Sequence, residues 1–136
     1  MLRTNSLKDK VAIITGASQG LGKQFASLAA ANGAKVALAA RQVPKLEELK
    51  NSLEECGSDV MVIEMDVLDQ ESISQGVAKV ESKWAIPDIL INNAGLAINK
   101  PFLDVEGSEY DRVLGTNLKG CFFCAQAVAR RMVEKK

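Results

Sequence analysis

Histidine is missing from all 136 residues. Its absence removes the commonest general base, the usual metal ligand and every histidine-based triad. An excess of charge is missing too, since Lys plus Arg and Asp plus Glu both number 17. No basic bias therefore points to nucleic acid or to an anionic membrane surface. No run of about 18 apolar residues offers a membrane span. Met1-Leu2-Arg3-Thr4-Asn5-Ser6 has no apolar stretch behind it to act as a secretory signal. Cysteine is sparse and odd in number, at Cys56, Cys121 and Cys124. That usage predicts reduced thiols in a cytoplasmic protein, with no disulfide framework and no metal site.

What remains is the composition of a globular chain, 47% apolar and 25% charged. Its length suits a single domain, residues 1–136, with a sizeable core. Apolar runs alternate with helical periodicity throughout. Val11–Thr15, Val36–Ala40, Val60–Met65 and Ile89–Ile91 read as buried strands. Between them Leu21, Phe25, Leu28 and Ala29 recur at helical spacing until Asn32-Gly33 supplies a stop. Pro44 suits a first helical turn, and Leu46, Leu49, Leu53 and Cys56 form a stripe ending at Gly57. Asp69 is placed to cap a third helix, whose Ile73, Val77, Val80 and Trp84 share one face. A last helical pattern runs from about Ser108 to Val133, broken in its first half. Strands alternating with helices imply parallel pairing through crossovers. The expected fold is a doubly wound α/β sheet of order 3-2-1-4, with its ligand crevice where strand order reverses, between strands one and four.

The loops predicted to reach that crevice are the unusual ones. Thr15-Gly16-Ala17-Ser18-Gln19-Gly20-Leu21-Gly22 joins the first strand to the first helix. The N–H groups at a helix start have no partner within the helix, and the helix dipole adds positive charge there. Glycines let a pyrophosphate approach the backbone, so a nucleotide is the expected ligand. The second loop, Asn92-Asn93-Ala94-Gly95, follows the fourth strand. Taken singly, each loop is also an ordinary turn sequence. Cys121-Phe122-Phe123-Cys124 lies inside a helical pattern, where thiolates are not stabilised, and reads as packing.

Together these residues resemble the short-chain dehydrogenases/reductases. The TGxxxGxG loop at Thr15–Gly22 is similar to that family's coenzyme motif, Asp66-Val67 to its adenine-side pair, and Asn92-Asn93-Ala94-Gly95 to its NNAG motif. Asn117 stands where the family has its catalytic asparagine. The likeness runs from about Leu7 onward and implies a Rossmann-type domain binding NAD(P). The implied coenzyme residues are Gly16, Ser18, Gln19, Gly20, Leu21, Gly22, Arg41, Asp66, Val67, Asn93, Ala94 and Gly95. Asp66 would accept a hydrogen bond from the adenine amino group, Val67 would offer a backbone N–H, and Asn93–Gly95 would lie against the ribose.

The end of the second strand discriminates between coenzymes. A free ribose 2′-hydroxyl usually meets a carboxylate there, yet this chain has Ala40 followed by Arg41. A guanidinium suits a 2′-phosphate, which favours NADP(H) over NAD(H). Gln19 occupies a position where many NADP(H)-using relatives carry a basic residue.

The family's chemistry also needs Ser and Tyr-x-x-x-Lys. The one tyrosine, Tyr110, precedes Asn117 and is followed four residues on by Leu114. No candidate catalytic tyrosine exists here, and the chain reads as a coenzyme-binding half that stops before a fifth strand. The implied reaction is hydride transfer between NADP(H) and a small carbonyl or alcohol substrate, with Asn117 supporting a proton relay. The chain alone is expected to be inactive. A non-catalytic nucleotide-binding or interaction module, and one chain of a split enzyme, remain alternatives. The apolar last helix, through Cys121, Phe122, Phe123, Cys124, Ala125, Ala127 and Val128, is expected to be covered, which points to a homo-oligomer.

Overall fold

The computed structural model describes residues 6–135. Four strands form one parallel sheet: β1 (Val11–Thr15), β2 (Lys35–Ala40), β3 (Val60–Glu64) and β4 (Ile89–Ile91). Their order is β3-β2-β1-β4, the order expected from the sequence. Val11 pairs with Lys35, Val36 with Val60 and Ala12 with Ile89, so the strands begin nearly level. The strands are apolar on both faces because helices cover both.

Alternate residues feed two separate cores. Ala12, Ile14, Val36, Leu38 and Val60 face α1 (Gly20–Ala31) and α2 (Val43–Glu55), meeting Ala26, Ala29 and Ala30 of the first and Leu46, Leu49 and Leu53 of the second. Val11, Ile13, Ala37, Ala39 and Ile63 face the other way, toward Ile73, Val77 and Val80 of α3 (Gln70–Lys83) and Cys124 and Val128 of the last helix. Trp84 packs at the edge of this second core. Asp69 caps α3 by accepting from the Glu71 N–H at 2.9 Å. Pro44 lies in the first turn of α2, and Gly33 and Gly57 take positive φ just beyond α1 and α2.

Two expected packing faces differ from the structure. In α1 the buried residues are Gly22, Ala26, Ala29 and Ala30, whereas Leu21 is 67% and Leu28 46% exposed. Small side chains lie directly beneath the helix, and Phe25 packs against the same core from its edge. Cys56 is exposed, because α2 ends at Glu55 and the stripe closes at Leu53.

The last helical pattern is one continuous run in three parts. A short 3₁₀ turn (Phe102–Asp104) leads to α4 (Gly107–Leu114), a π-helical turn (Gly115–Gly120) and α5 (Cys121–Glu134). The expected break is thus a widened turn and not an interruption. A capping box between Glu106 and Glu109 starts α4. Arg131 ties α5 to α3 through both oxygens of Glu81, at 2.6 and 2.8 Å. Among the described residues no helix is long and apolar enough to cross a membrane.

Candidate functional site

A cleft of about 380 Å³ opens at the carboxyl ends of the strands. It lies over β1 and β4, the point where strand order reverses. One wall is the glycine loop, with Gly16, Ser18, Gln19, Gly20 and Leu21. The opposite wall is Asn93, Ala94, Gly95 and Leu96, after β4. Ala40, Arg41 and Gln42 close it beyond β2, and Asp66, Val67 and Leu68 close it beyond β3. Thr116, from the π-turn, lines it as well.

One hydroxyl holds the two main walls together. Thr15 is 1% exposed at the end of β1. Its Oγ1 accepts from the Asn93 N–H at 3.1 Å and the Ala94 N–H at 3.0 Å, and donates to the Ile91 carbonyl at 3.4 Å. That uses the full donor and acceptor capacity of a hydroxyl. Asn93 returns the link, because its Nδ2 donates to the Thr15 and Gly16 carbonyls at 3.2 and 3.1 Å. Both N–H groups of the Asn93 amide are therefore spent on the protein's own backbone, and Ala94 and Gly95 line the cleft beside it.

Glycine is required at two places by what surrounds it. Gly16 has φ +64°, and a Cβ there would stand 2.8 Å from the Ala94 Cα. Gly22 is buried, and a Cβ there would stand 2.3 Å from the Gly16 carbonyl oxygen and 2.5 Å from the Asn93 Nδ2. Gly22 stands behind the loop, outside the cleft wall, and lets α1 close against it. The start of α1 has no side-chain cap and no acidic residue in its first turn. Its first N–H groups have no partner within the helix.

At the β3 side, the Asp66 Oδ1 accepts from the Leu68 N–H at 2.9 Å and its own N–H donates to the Ser72 Oγ at 3.0 Å. The second carboxylate oxygen accepts no hydrogen bond among the described residues. At the β2 side Arg41 is exposed and forms no ion pair among the described residues. Apart from Asp66, no carboxylate lines the cleft among the described residues.

Asn117 lies one step outside the lining. Its Oδ1 accepts from the Leu96 N–H and its Nδ2 donates to the Leu96 carbonyl, both at 2.9 Å. The amide mimics a strand neighbour and fastens the loop after β4 to the π-turn. One lone pair on Oδ1 and one N–H on Nδ2 remain. Tyr110 is exposed on α4 and does not line the cleft.

Groups with displaced titration lie away from the cleft. The Arg131 hydrogen bond holds Glu81 below its ordinary value, and the Lys100 bond does the same for Glu109. Burial, helped by nearby Cys121, pushes the Cys124 thiol up to about 11. A thiol so raised is a poor nucleophile, in keeping with its place beneath the sheet. Among the described residues no three His, Cys, Asp or Glu side chains gather as a metal site would need.

The sequence reading missed Thr15 as a connector and Thr116 as a wall. A lone polar residue closing an apolar strand was the available signal for Thr15. For Thr116 there was none, because its exposure to the cleft depends on the widened turn.

Known proteins share this arrangement. A family model described as short chain dehydrogenase matches residues 10–136. A sorbitol dehydrogenase of Cereibacter sphaeroides is 39% identical over 127 residues, 93% of this chain and 48% of that protein. A gluconate 5-dehydrogenase of Gluconobacter oxydans is 36% identical over 130 residues, covering 96% and 51%. The crystal structure of a short-chain type dehydrogenase/reductase from Mycobacterium marinum superposes with a TM-score of 0.93 at 34% identity, over 97% of this chain and 53% of that one. The chain spans about half the length of the curated relatives it matches. Loop, sheet order and family model agree that the chain belongs to the short chain dehydrogenase family.

Proposed function

We propose that residues 1–136 form the N-terminal, coenzyme-binding portion of an NADP(H)-dependent oxidoreductase acting on a carbonyl or alcohol carbon. The observation that carries this reading is the cleft itself, backbone-lined on two sides, with Arg41 and Asp66 beyond the neighbouring strands β2 and β3. The bound coenzyme supplies or takes up the hydride. The chain's own residues bind and orient it. Ser18 to Leu21 offer N–H groups at the α1 start to the pyrophosphate, and Ala94 and Gly95 admit the ribose. Asp66 has a carboxylate oxygen to accept from the adenine amino group, and Val67 supplies a main-chain N–H beside it. Arg41, with no carboxylate beside it, favours a 2′-phosphate over a 2′-hydroxyl. Asn117 acts as a positioning residue, holding Leu96 while its remaining amide capacity supports a proton relay.

Fluorescence titration with NADPH and NADH tests the coenzyme assignment. Binding of NADPH is expected to be about tenfold tighter or more, the worth of one charge-assisted hydrogen bond. Arg41→Ala should abolish the preference. Equal affinity of the unmodified protein for the two coenzymes would sink the assignment.

The same reading places the protein in the cytoplasm as a homo-oligomer. Tyr110, Leu114, Leu118 and Phe122 recur every fourth residue and are all exposed, supporting contact with a second copy along the last helix. Sedimentation showing only monomers at micromolar concentration would remove that part of the proposal.

A further inference from the structure

The rim of the cleft beyond β2 holds a cation that the glycine loop lacks. Gln19, the residue preceding α1, faces the cleft with a neutral amide. Its Oε1 accepts a hydrogen bond from the Lys45 Nζ at 3.3 Å, across from the first turn of α2. That turn contains no acidic residue. Lys45 is exposed and makes no ion pair among the described residues, whereas Lys50 on the same helix lies 3.9 Å from Glu47. Its charge is therefore uncompensated and turned toward the loop. With Oε1 held by the ammonium, the Gln19 amide has its N–H₂ end left over. The Arg41 guanidinium and the Gln19 amide N–H groups line the cleft there, and the Lys45 ammonium joins them from outside the lining through its bond to Gln19. All three are donors, and none is an acceptor that would repel an anion.

We infer that Lys45 is a specificity-determining residue, which acts with Arg41, and through Gln19, to hold the 2′-phosphate of NADP(H). The inference rests on the NADP(H) reading above and adds a cation from α2 to the single guanidinium it invoked. A phosphomonoester carries between one and two negative charges at neutral pH, so a second cation adds attraction that a ribose hydroxyl does not feel. Lysine serves here as a compact, mobile point charge, free to leave the amide for the phosphate.

The test is coenzyme titration of the protein and its Lys45→Ala, Lys45→Gln and Lys45→Arg variants with NADPH and NADH, at low and moderate salt. Lys45→Ala and Lys45→Gln are expected to weaken NADPH binding about tenfold and leave NADH binding unchanged. Lys45→Arg should retain NADPH binding, and the neutral variants should lose part of its salt dependence. If the unmodified protein prefers NADPH and the neutral variants keep that preference in full, Lys45 has no such role while the NADP(H) reading stands. Equal weakening of both coenzymes would show a merely structural lysine and overturn the inference. Equal affinity of the unmodified protein for both coenzymes would overturn the reading and the inference together.

Discussion

At the amino ends of the strands the chain closes itself with charge, whereas at the carboxyl ends it uses neutral hydrogen bonds. On the amino side the Asp88 Oδ2 accepts from the Val11 N–H at 3.0 Å, and its Oδ1 lies 3.2 Å from Lys135 and 3.7 Å from Lys10. Lys35 and Asp59, beside the starts of β2 and β3, pair at 4.0 Å. On the carboxyl side Thr15 and Asn93 stitch β1 to β4 with uncharged groups, and Arg41 and Asp66 have no ionic partner among the described residues. Exposed ion pairs contribute roughly 0–1 kcal/mol each. A buried hydroxyl that satisfies two N–H groups is worth more, because each N–H left unsatisfied costs about 1–3 kcal/mol. The difference teaches a division of labour. Charges paired at one end are withheld from ligands, and charges kept apart at the other end remain on offer.

The strongest way to break the comparison is Gly22→Ala. The added Cβ meets the Gly16 carbonyl and the Asn93 amide, so the loops must part. We expect a loss of about 3 kcal/mol in urea unfolding, the upper range for overpacking, together with loss of coenzyme binding. An unchanged unfolding midpoint would mean that this close approach does not hold the carboxyl end together. Thr15→Val comes next. It keeps the volume and removes the acceptor of the Asn93 and Ala94 N–H groups, at an expected cost of about 2 kcal/mol. Thr15→Ser should recover most of that cost, and a valine variant as stable as the parent would contradict the connector role.

Asp88→Asn sharpens the other side of the comparison and should have the smallest effect. Burial raises the Asp88 carboxyl, but the Val11 N–H, Lys135 and Lys10 outweigh it and hold the group below its ordinary 3.8. A carboxylate lowered on folding stabilises above its unfolded value, and that contribution fades as pH falls through the folded one. The asparagine variant should therefore lose about 1 kcal/mol at pH 7 and show a flatter decline below pH 4. Unfolding curves at pH 7 and pH 3 check this, and parallel acid limbs for the two proteins would refute it.

Much of this was legible in the chain. Short apolar runs between Lys10 and Gly16, or after Pro87, mark strands because nothing else buries such segments economically. The glycine loop announces a close approach of backbone, seen at Gly16 and Gly22, because its residue types widen what the backbone can do. On α1 the expected Ala29 is buried and Phe25 packs against the core, but Leu21 and Leu28 are exposed for a physical reason. Hydrophobicity was weighed by size, favouring Leu21 and Leu28, while closeness to the sheet selected Gly22, Ala26, Ala29 and Ala30. Cys56 was misplaced because periodicity does not register that α2 has already ended. The roles of Thr15 and Asn93 were hidden by distance, since their partners lie 76 to 79 residues away along the chain. The mutual support of Asn117 and Leu96 was hidden likewise, across 21 residues.

The π-turn at Gly115–Gly120 bears on the rotational phase of the last helix. Upstream of its end the helix must offer Thr116 to the cleft and Asn117 to Leu96; downstream it must press Cys124 and Val128 beneath the sheet. An α-helix advances about 100° per residue, and a widened turn absorbs one residue of such advance. Shortening the segment by a single residue would return it to ordinary α-helix. A second deletion would have no widened turn to absorb it and would rotate one set of contacts by that angle against the other. The turn is thus a phase adjuster, setting the rotational register between what the helix shows the cleft and what it shows the core.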